Sequence, residues 1–329
     1  MSHPTSANGF VPFNLHSDLM KGIHKAGFTQ PRPIQAATLP DALKGSDILG
    51  LAQTGTGKTA GFAIPIIERI LRHKTNAPSA LILAPTRELA AQITAELQQL
   101  AAFTPIRSVT IYGGVGQGPQ VAKLRKNPDI IIACPGRLLD LMGQGFVKLR
   151  TIETLVLDEA DHMFDMGFLV PIRKILKELP SNRQNLLFSA TMPKEIRKLA
   201  DDLLDNPSVV ELPTTKPVDL ITQVVYPVHE RRKLPLLEHL LHNDSVSKAI
   251  IFTRTKRRAK TLADKLGKAS FNAAALQGNM SQNARDRAIK GFKGGEYDIL
   301  VATDIAARGI DVSKVSHVIN YDVPDTAEA

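Results

Sequence analysis

A single cysteine, Cys134, stands in the 329-residue chain, which excludes an internal disulfide framework and a multi-cysteine zinc site and fits a reducing compartment. Its side chain reads as a small apolar filler. No apolar run approaches the ~20 residues needed to span a bilayer. Residues 1–10 show neither a basic start nor an apolar stretch of signal-peptide type. Secretion and membrane insertion are therefore not expected, and a cytoplasmic location is. The nine histidines have no metal-ligand spacing such as H-E-x-x-H, and no N-K-x-D guanine-reading segment occurs, which leaves a GTPase poorly supported. Low-complexity tracts are missing as well.

What is present is ordinary globular composition with a basic bias. Hydrophobic residues make up 43% and charged residues 22%, too apolar for extended disorder. At ~100–200 residues per domain the length argues for two domains. Lysine and arginine number 41 against 32 acidic residues, a net charge of +9, which favours a polyanionic partner such as nucleic acid without separating RNA from DNA.

Short apolar runs at 47–51, 80–84, 108–112, 129–133, 154–157 and 185–188 are each followed by a stretch of helical periodicity. Strand then helix, repeated, predicts an α/β fold with a doubly wound parallel sheet. A proline- and threonine-rich stretch at 211–219 without periodicity is the expected linker, dividing a domain over 1–210 from a second over 220–329. In the second, strands are expected at 249–252, 271–275, 297–301 and 317–320, with helices at 256–266 and 281–292. No helix follows the last of these strands, although a parallel sheet normally has both faces covered. The second domain is therefore expected to be incomplete here, with the natural protein continuing.

Residues 52–59, A-Q-T-G-T-G-K-T, lie between an apolar run and a helical pattern, the context a phosphate-binding loop requires. Gly55 and Gly57 let backbone N–H groups turn inward around phosphate oxygens, and the following helix adds its positive end. Lys58 would reach the β and γ phosphates and Thr59 would ligate Mg²⁺, although Ala52 replaces the usual first glycine. Asp158 and Glu159 close an apolar strand, where parallel-sheet proteins place their ligands. Alone, such a pair is more often a helix cap. Beside Lys58 and Thr59, it suggests that Asp158 holds Mg²⁺ and Glu159 activates a water.

Asp158-Glu159-Ala160-Asp161 spells the motif of the DEAD-box RNA helicases, and the chain resembles that family over almost its whole length. The resemblance implies two tandem RecA-like domains, ATP and Mg²⁺ as cofactors, RNA as partner, no membrane and a monomer. Gly27-Phe28-Thr29-Gln30-Pro31-Arg32-Pro33-Ile34-Gln35 looks like its adenine-recognition segment, with Phe10 as the upstream aromatic; Gln35 could donate and accept at once to adenine. Phe28 and the loop residues Thr54, Gly55, Thr56, Gly57, Lys58 and Thr59 would complete the nucleotide contacts. Pro85-Thr86-Arg87-Glu88-Leu89-Ala90, Gly113-Gly114 and Pro135-Gly136-Arg137 resemble the RNA-contacting segments of the first domain. Pro85, Thr86, Arg87, Gly114, Gly136 and Arg137 are thus expected to hold a phosphate backbone without reading bases. Cys134 departs from the threonine usual there, which puts a hydroxyl contact in doubt. Ser189-Ala190-Thr191 resembles the motif coupling ATP state to strand separation, with hydroxyls that could hydrogen-bond Asp161.

In the second domain, the segments at 250–255, Gln282 with Arg285, and 301–311 resemble later motifs. By that resemblance Arg254, Arg285 and Thr303 would touch RNA, while Gly309 and Asp311 would meet the nucleotide across an interdomain cleft. Gln277 stands where the family usually has histidine. The cluster Lys256-Arg257-Arg258-Ala259-Lys260 reads as a solvated helix face. The family would continue within a few residues of Pro324 to an H-R-I-G-R-T-G-R segment whose arginines reach the γ-phosphate, a contribution of ~10³ to 10⁵ in rate. A protein ending at Ala329 is therefore expected to bind ATP with little turnover. The implied function is an ATP-dependent RNA helicase that draws its domains together on ATP and RNA and bends one strand away from helical geometry. The alternatives are an ATP-gated RNA clamp that grips without unwinding and, more weakly, a DNA helicase.

Overall fold

The computed structural model describes residues 9–53, 55–73, 75–212, 221–243, 245–307, 312 and 315–323, apart from the side chains of Gln282 and Ile305. The chain divides into two compact units, Met1–Lys216 and Pro217–Ala329. Residues 213–219 of the expected linker lie outside the described residues.

The first unit runs α1 (Ser17–Lys25), α2 (Pro33–Lys44), β1 (Ile48–Leu51), α3 (Lys58–Arg72), β2 (Ala80–Leu83), α4 (Arg87–Leu100), β3 (Ser108–Ile111), α5 (Gly118–Leu124), β4 (Ile130–Ala133), α6 (Pro135–Gly143), β5 (Thr154–Leu157), α7 (Ala160–Asp165), α8 (Leu169–Leu176), β6 (Gln184–Ser189), α9 (Lys194–Leu203) and β7 (Ser208–Glu211). Its seven strands form one parallel sheet in the order β3-β4-β2-β5-β6-β1-β7. β2, β4 and β5 are buried at every position, as strands covered on both faces must be. Alternation of side chains across the pleat then builds two cores. Ala80 and Ile82 join the layer of α1 to α4, while Leu81 and Leu83 join the layer of α5 to α9.

The second unit runs α10 (Lys233–Leu241), β8 (Ala249–Phe252), α11 (Lys256–Lys268), β9 (Ala273–Leu276), α12 (Gln282–Gly294), β10 (Ile299–Ala302), α13 (Asp304–Ala307) and β11 (His317–Asn320). Its parallel sheet has the order β11-β8-β10-β9. α10 and α11 cover one face with Leu237, Leu262 and Leu266, and α12 covers the other with Ala288 and Phe292. Among the described residues β11 stands at the edge of this sheet, with Val318 63% exposed.

Three differences from the sequence expectation have local causes. Glu211, expected to open the linker, is the last residue of β7, an edge strand in which only Val210 is buried, too little apolar signal to mark a strand. β9 begins at Ala273 instead of 271, because Phe271 N–H donates to Leu266 O and Ser270 takes φ 67, so both residues end α11. β10 begins at Ile299 because Tyr297 N–H still closes α12 onto Gly291 O.

Since all strands of a unit run parallel, their C-terminal ends share one rim. In the first unit, β1 and β6 are pinned at the opposite rim by Asp47. Its buried carboxylate accepts Asn185 N–H at 2.7 Å, Asn185 Nδ2 at 3.1 Å and Asp205 N–H at 2.9 Å. Asp47→Ala strands these donors, and at about 1–3 kcal/mol for a buried unsatisfied donor the expected loss is roughly 2–4 kcal/mol. Urea unfolding of the chain measures it; an unchanged midpoint would refute the clamp.

Candidate functional site

The loop after β1 carries Gly55 at φ 80 and Gly57 at φ 94, left-handed conformations that favour glycine. Gly57 has a second reason to lack a side chain, because a Cβ there would stand 2.6 Å from Gln35 Nε2. Lys58 opens α3 and is buried, its Nζ donating to Ala52 O at 3.0 Å. Arg32 Nη1 donates to Gly55 O at 2.8 Å and Gln35 Nε2 to Gly57 O at 2.9 Å. The loop is thus closed on its own carbonyls by three donors. Thr56 Oγ1 donates to Gln53 O, and Thr54 lies outside the described residues.

Gln35, expected to read adenine, is buried and has both ends of its amide engaged, Oε1 accepting Arg32 N–H at 2.9 Å. Each end still has one further hydrogen or lone pair, so burial, not pairing, is what an adenine contact would have to overcome. Phe10 is fully buried against Phe13 and Phe28, with ring centroids 6.2 and 6.4 Å away. It offers no surface to a ligand in this structure and instead supports Phe28, which is half-buried. Thr59 is also half-buried, and its side chain hydrogen-bonds Glu96 of α4; burial pushes the Glu96 carboxyl up, partly offset by that bond and by the Arg32 charge.

Asp158, Glu159 and Asp161 follow β5, all three buried. Burial pushes the Asp158 carboxyl up to about 6, against the pull of the Lys58 ammonium and with a further push from Glu159. Asp158 Oδ1 accepts Glu159 N–H at 3.0 Å. Glu159 sits at φ 54, in the left-handed region, and its Oε2 lies 2.8 Å from His162 Nδ1. Asp161 Oδ2 accepts both the N–H and the hydroxyl of Thr191 at 2.9 Å, and its own N–H donates to Ser189 Oγ at 3.3 Å. Burial raises the Asp161 carboxyl, but the Thr191 and Ser189 hydrogen bonds and the His162 charge outweigh it and hold it low. Lys58, Asp158, Glu159, Asp161, Ser189 and Thr191 therefore meet at the ends of three consecutive strands, β5, β6 and β1.

The other half of the same rim carries the remaining motifs of this unit. Pro85 is buried, and Thr86 caps α4 by accepting Leu89 N–H at 3.2 Å. Arg87 stacks over the Tyr112 ring at 4.6 Å. Gly114 (φ 78) and Gly136 are exposed. Arg137 donates to Val115 O at 3.2 Å, and its Nη1 is buried without a hydrogen-bond partner. Cys134 caps α6 without a side-chain bond, and burial pushes its thiol up to about 12, so it supplies no hydroxyl contact and no thiolate. In the second unit, Arg254 and Thr303 follow the neighbouring strands β8 and β10, and Arg285 Nη2 donates to Ala306 O at 2.6 Å. Gly309 and Asp311 lie outside the described residues.

Three contributors escaped the sequence reading. Arg32 lay inside the quoted adenine segment without being singled out. His162 stands three residues beyond Glu159 on a helix, a spacing that puts side chains together. Glu96 reaches Thr59 only through the packing of α4 on α3, and nothing local signals it.

A glycine loop between a parallel strand and a helix, a lysine at that helix's first position and a carboxylate pair two strands away define a P-loop nucleoside-triphosphate fold. Comparison with known proteins narrows the class. The DEAD/DEAH box helicase description matches residues 32–199, and the helicase conserved C-terminal domain matches 232–329. The chain is 44% identical over 321 residues to the ATP-dependent RNA helicase CshA of Listeria monocytogenes, covering 97% of this chain and 62% of that protein. It is 43% identical over 321 residues to the DEAD-box ATP-dependent RNA helicase CshA of Geobacillus kaustophilus, covering 97% and 68%. Dbp5 of S. cerevisiae bound to RNA and ADP BeF3 superimposes with a TM-score of 0.84 at 34% identity, covering 98% of this chain and 82% of that one. The chain belongs to the DEAD/DEAH box helicase family, and its two α/β units are the tandem RecA-like domains of that family. It spans 62% to 68% of the length of these two curated relatives.

A raised carboxyl has a definite consequence for stability. Folding favours protonated Asp158, so the cost of burying it is absent below the ordinary value of 3.8 and grows as pH rises towards about 6. Asp158→Asn keeps the acceptor for Glu159 N–H and removes that cost. The ligand-free variant is expected to be more stable by about 2–3 kcal/mol at pH 7 and by almost nothing below about pH 4. Urea midpoints across that range measure it; a destabilised variant at pH 7 would show that the ionised carboxylate is compensated.

Proposed function

We propose that this chain binds ATP with Mg²⁺ at the loop after β1 and couples its RNA-stimulated hydrolysis to local unwinding or remodelling of RNA duplexes. The observation that carries this reading is the convergence of Lys58, Asp158 and Glu159 at adjoining strand ends, with Asp161 tied to Thr191 beside them. Two CshA helicases share more than two-fifths of the aligned residues, and a yeast relative of the same fold binds RNA with a nucleotide.

The residues fit a divalent cation. Asp158 is a buried carboxylate whose charge is penalised, and the Thr59 hydroxyl stands at the start of α3. Among the described residues no group of three or more histidine, cysteine or acidic side chains could hold a metal by itself. That suits a hard cation ligated largely by nucleotide and water oxygens. Mg²⁺ would supply charge neutralisation on the phosphates. Lys58 would release Ala52 O and neutralise β and γ oxygens. Glu159 would accept the proton of a water as its oxygen bonds the γ phosphorus; the bond to the β–γ bridging oxygen breaks and its electron pair leaves with ADP.

RNA would be held on the other half of the rim. Arg87, the Arg137 guanidinium with its buried unpartnered Nη1, and the exposed backbones of Gly114 and Gly136 offer donors to phosphates but nothing shaped to a base. Arg254, Arg285 and Thr303 offer similar groups in the second unit. Recognition would then be largely independent of sequence.

Lys58→Ala is expected to weaken ATP binding by about tenfold or more, whereas Glu159→Gln should keep binding and lose about 10² or more in hydrolysis. Equilibrium binding of a fluorescent ATP analogue and an RNA-stimulated phosphate-release assay separate the two, and a strand-displacement assay on a short RNA duplex distinguishes unwinding from a clamp. Hydrolysis by Glu159→Gln at the parental rate would remove the assignment of the base. Arg137→Ala should weaken RNA binding about equally for unrelated sequences and flatten its salt dependence by about one phosphate contact.

A further inference from the structure

His162 has no part in the reading above, yet it touches the carboxylate at its centre. Its Nδ1 lies 2.8 Å from Glu159 Oε2, with the glutamate side chain 5% and the imidazole 26% exposed. A carboxylate only accepts hydrogen bonds, so the ring donates from Nδ1, which sets its tautomer whenever it is neutral. The backbone that carries the imidazole is itself anchored: the His162 main-chain N–H donates to Asp161 Oδ1 at 3.1 Å, and the other oxygen of Asp161 takes both donors of Thr191. Hydrogen bonds from Thr191 to Asp161 and from the His162 main chain to Asp161 thus lead, through the covalent frame of His162, to the bond between its ring and Glu159.

Glu159 needs such a restraint. Its side chain has three torsions, and a base must come within hydrogen-bond reach of the proton it takes. The left-handed backbone at φ 54 and ψ 54 sets where the side chain starts. The imidazole sets where it ends.

We propose that His162 is a positioning residue for hydrolysis, its Nδ1–H holding Glu159 by Oε2 so that Oε1 faces the attacking water, and joining that carboxylate to the Asp161–Thr191 pair. The inference rests on Glu159 being the base of the proposed reaction. It also places Thr191 and the base at two ends of one chain of contacts, through the Asp161 side chain and the His162 residue.

Two substitutions test it in the 329-residue chain. His162→Leu removes the donor at similar volume, while His162→Asn returns an amide N–H where Nδ1 stands. With saturating single-stranded RNA and single-turnover conditions, which resolve slow hydrolysis, the leucine variant is expected to lose about tenfold in rate constant with ATP-analogue affinity within about twofold. The asparagine variant should return to within about threefold of the parent. A long-range proton–nitrogen NMR spectrum adds a readout free of nucleotide: the Nδ1–H tautomer of His162 is expected in the parent and lost in Glu159→Ala. An undiminished rate in the leucine variant, equal impairment in the asparagine variant, or a tautomer indifferent to Glu159→Ala overturns the proposal. Glu159→Gln keeps the two failures apart. If it still hydrolyses ATP, the base assignment falls and this proposal with it; if it is inactive while His162→Leu is fully active, this proposal alone falls.

Discussion

Three carboxylates within four residues, Asp158, Glu159 and Asp161, are withdrawn from water at the end of β5, and much of the first unit is arranged around making that tolerable. Like charges that close raise one another's cost of ionisation. Each has its own compensation. Asp158 feels the Lys58 ammonium and takes Glu159 N–H, Glu159 meets an imidazole, and Asp161 collects two donors from Thr191 and sits beside Ser189 Oγ. Glu159 N–H and His162 are local to the end of β5; the other partners come from the end of β6 and the segment after it and from the helix after β1, so β5, β6 and β1 have to be neighbours in that order. The Asp47 clamp at the opposite rim and the Ala52 N–H to Ser189 O bond at this one hold β1 against β6 at both ends.

Sheet order then divides the labour. The strands bearing the phosphate loop, the acidic residues and Ser189-Ala190-Thr191 fill one half of the rim. β2, β4 and β3, followed by Arg87, Gly136 with Arg137, and Gly114, fill the other. The line between them falls where β2 pairs with β5, so a nucleotide and a nucleic-acid strand could occupy one unit without competing. Because every strand is parallel, no loop of either set is wasted on the far rim.

How much of this was legible from the chain depended on whether the signal was local. Six strands of the first unit, the glycine loop and the acidic pair are written in contiguous residues, and each falls within a residue or two of its expected place. β7 is not, since an edge strand with a single buried residue carries little pattern. Glu96 and the Asp47 clamp were invisible for a different reason: their partners are distant in sequence and come close only through packing. Gln35 shows a third limit. An amide that can donate and accept suits an adenine edge, and it suits equally the Arg32 N–H and Gly57 O it bonds here. Residue type narrows the partners of a polar group to a class; only the fold selects among them.

That selection at Gln35 bears on how a nucleotide would enter. The loop is held shut at both ends, by Gln35 on Gly57 O and by Lys58 on Ala52 O, with Arg32 on Gly55 O between them. A phosphate offers Lys58 a charged acceptor in place of a neutral carbonyl, and charge-assisted bonds are roughly twice as strong, so that exchange is favourable alone. Gln35 Nε2 has a second hydrogen, so an adenine acceptor could be bonded while Gly57 O is kept. Phosphates would therefore provide the drive that frees Lys58 from the loop, whereas an adenine contact at Gln35 would add discrimination without undoing its bond to Gly57 O. Energy and discrimination would then reside at opposite ends of the same eight residues, which is what a site choosing among triphosphates of equal charge requires.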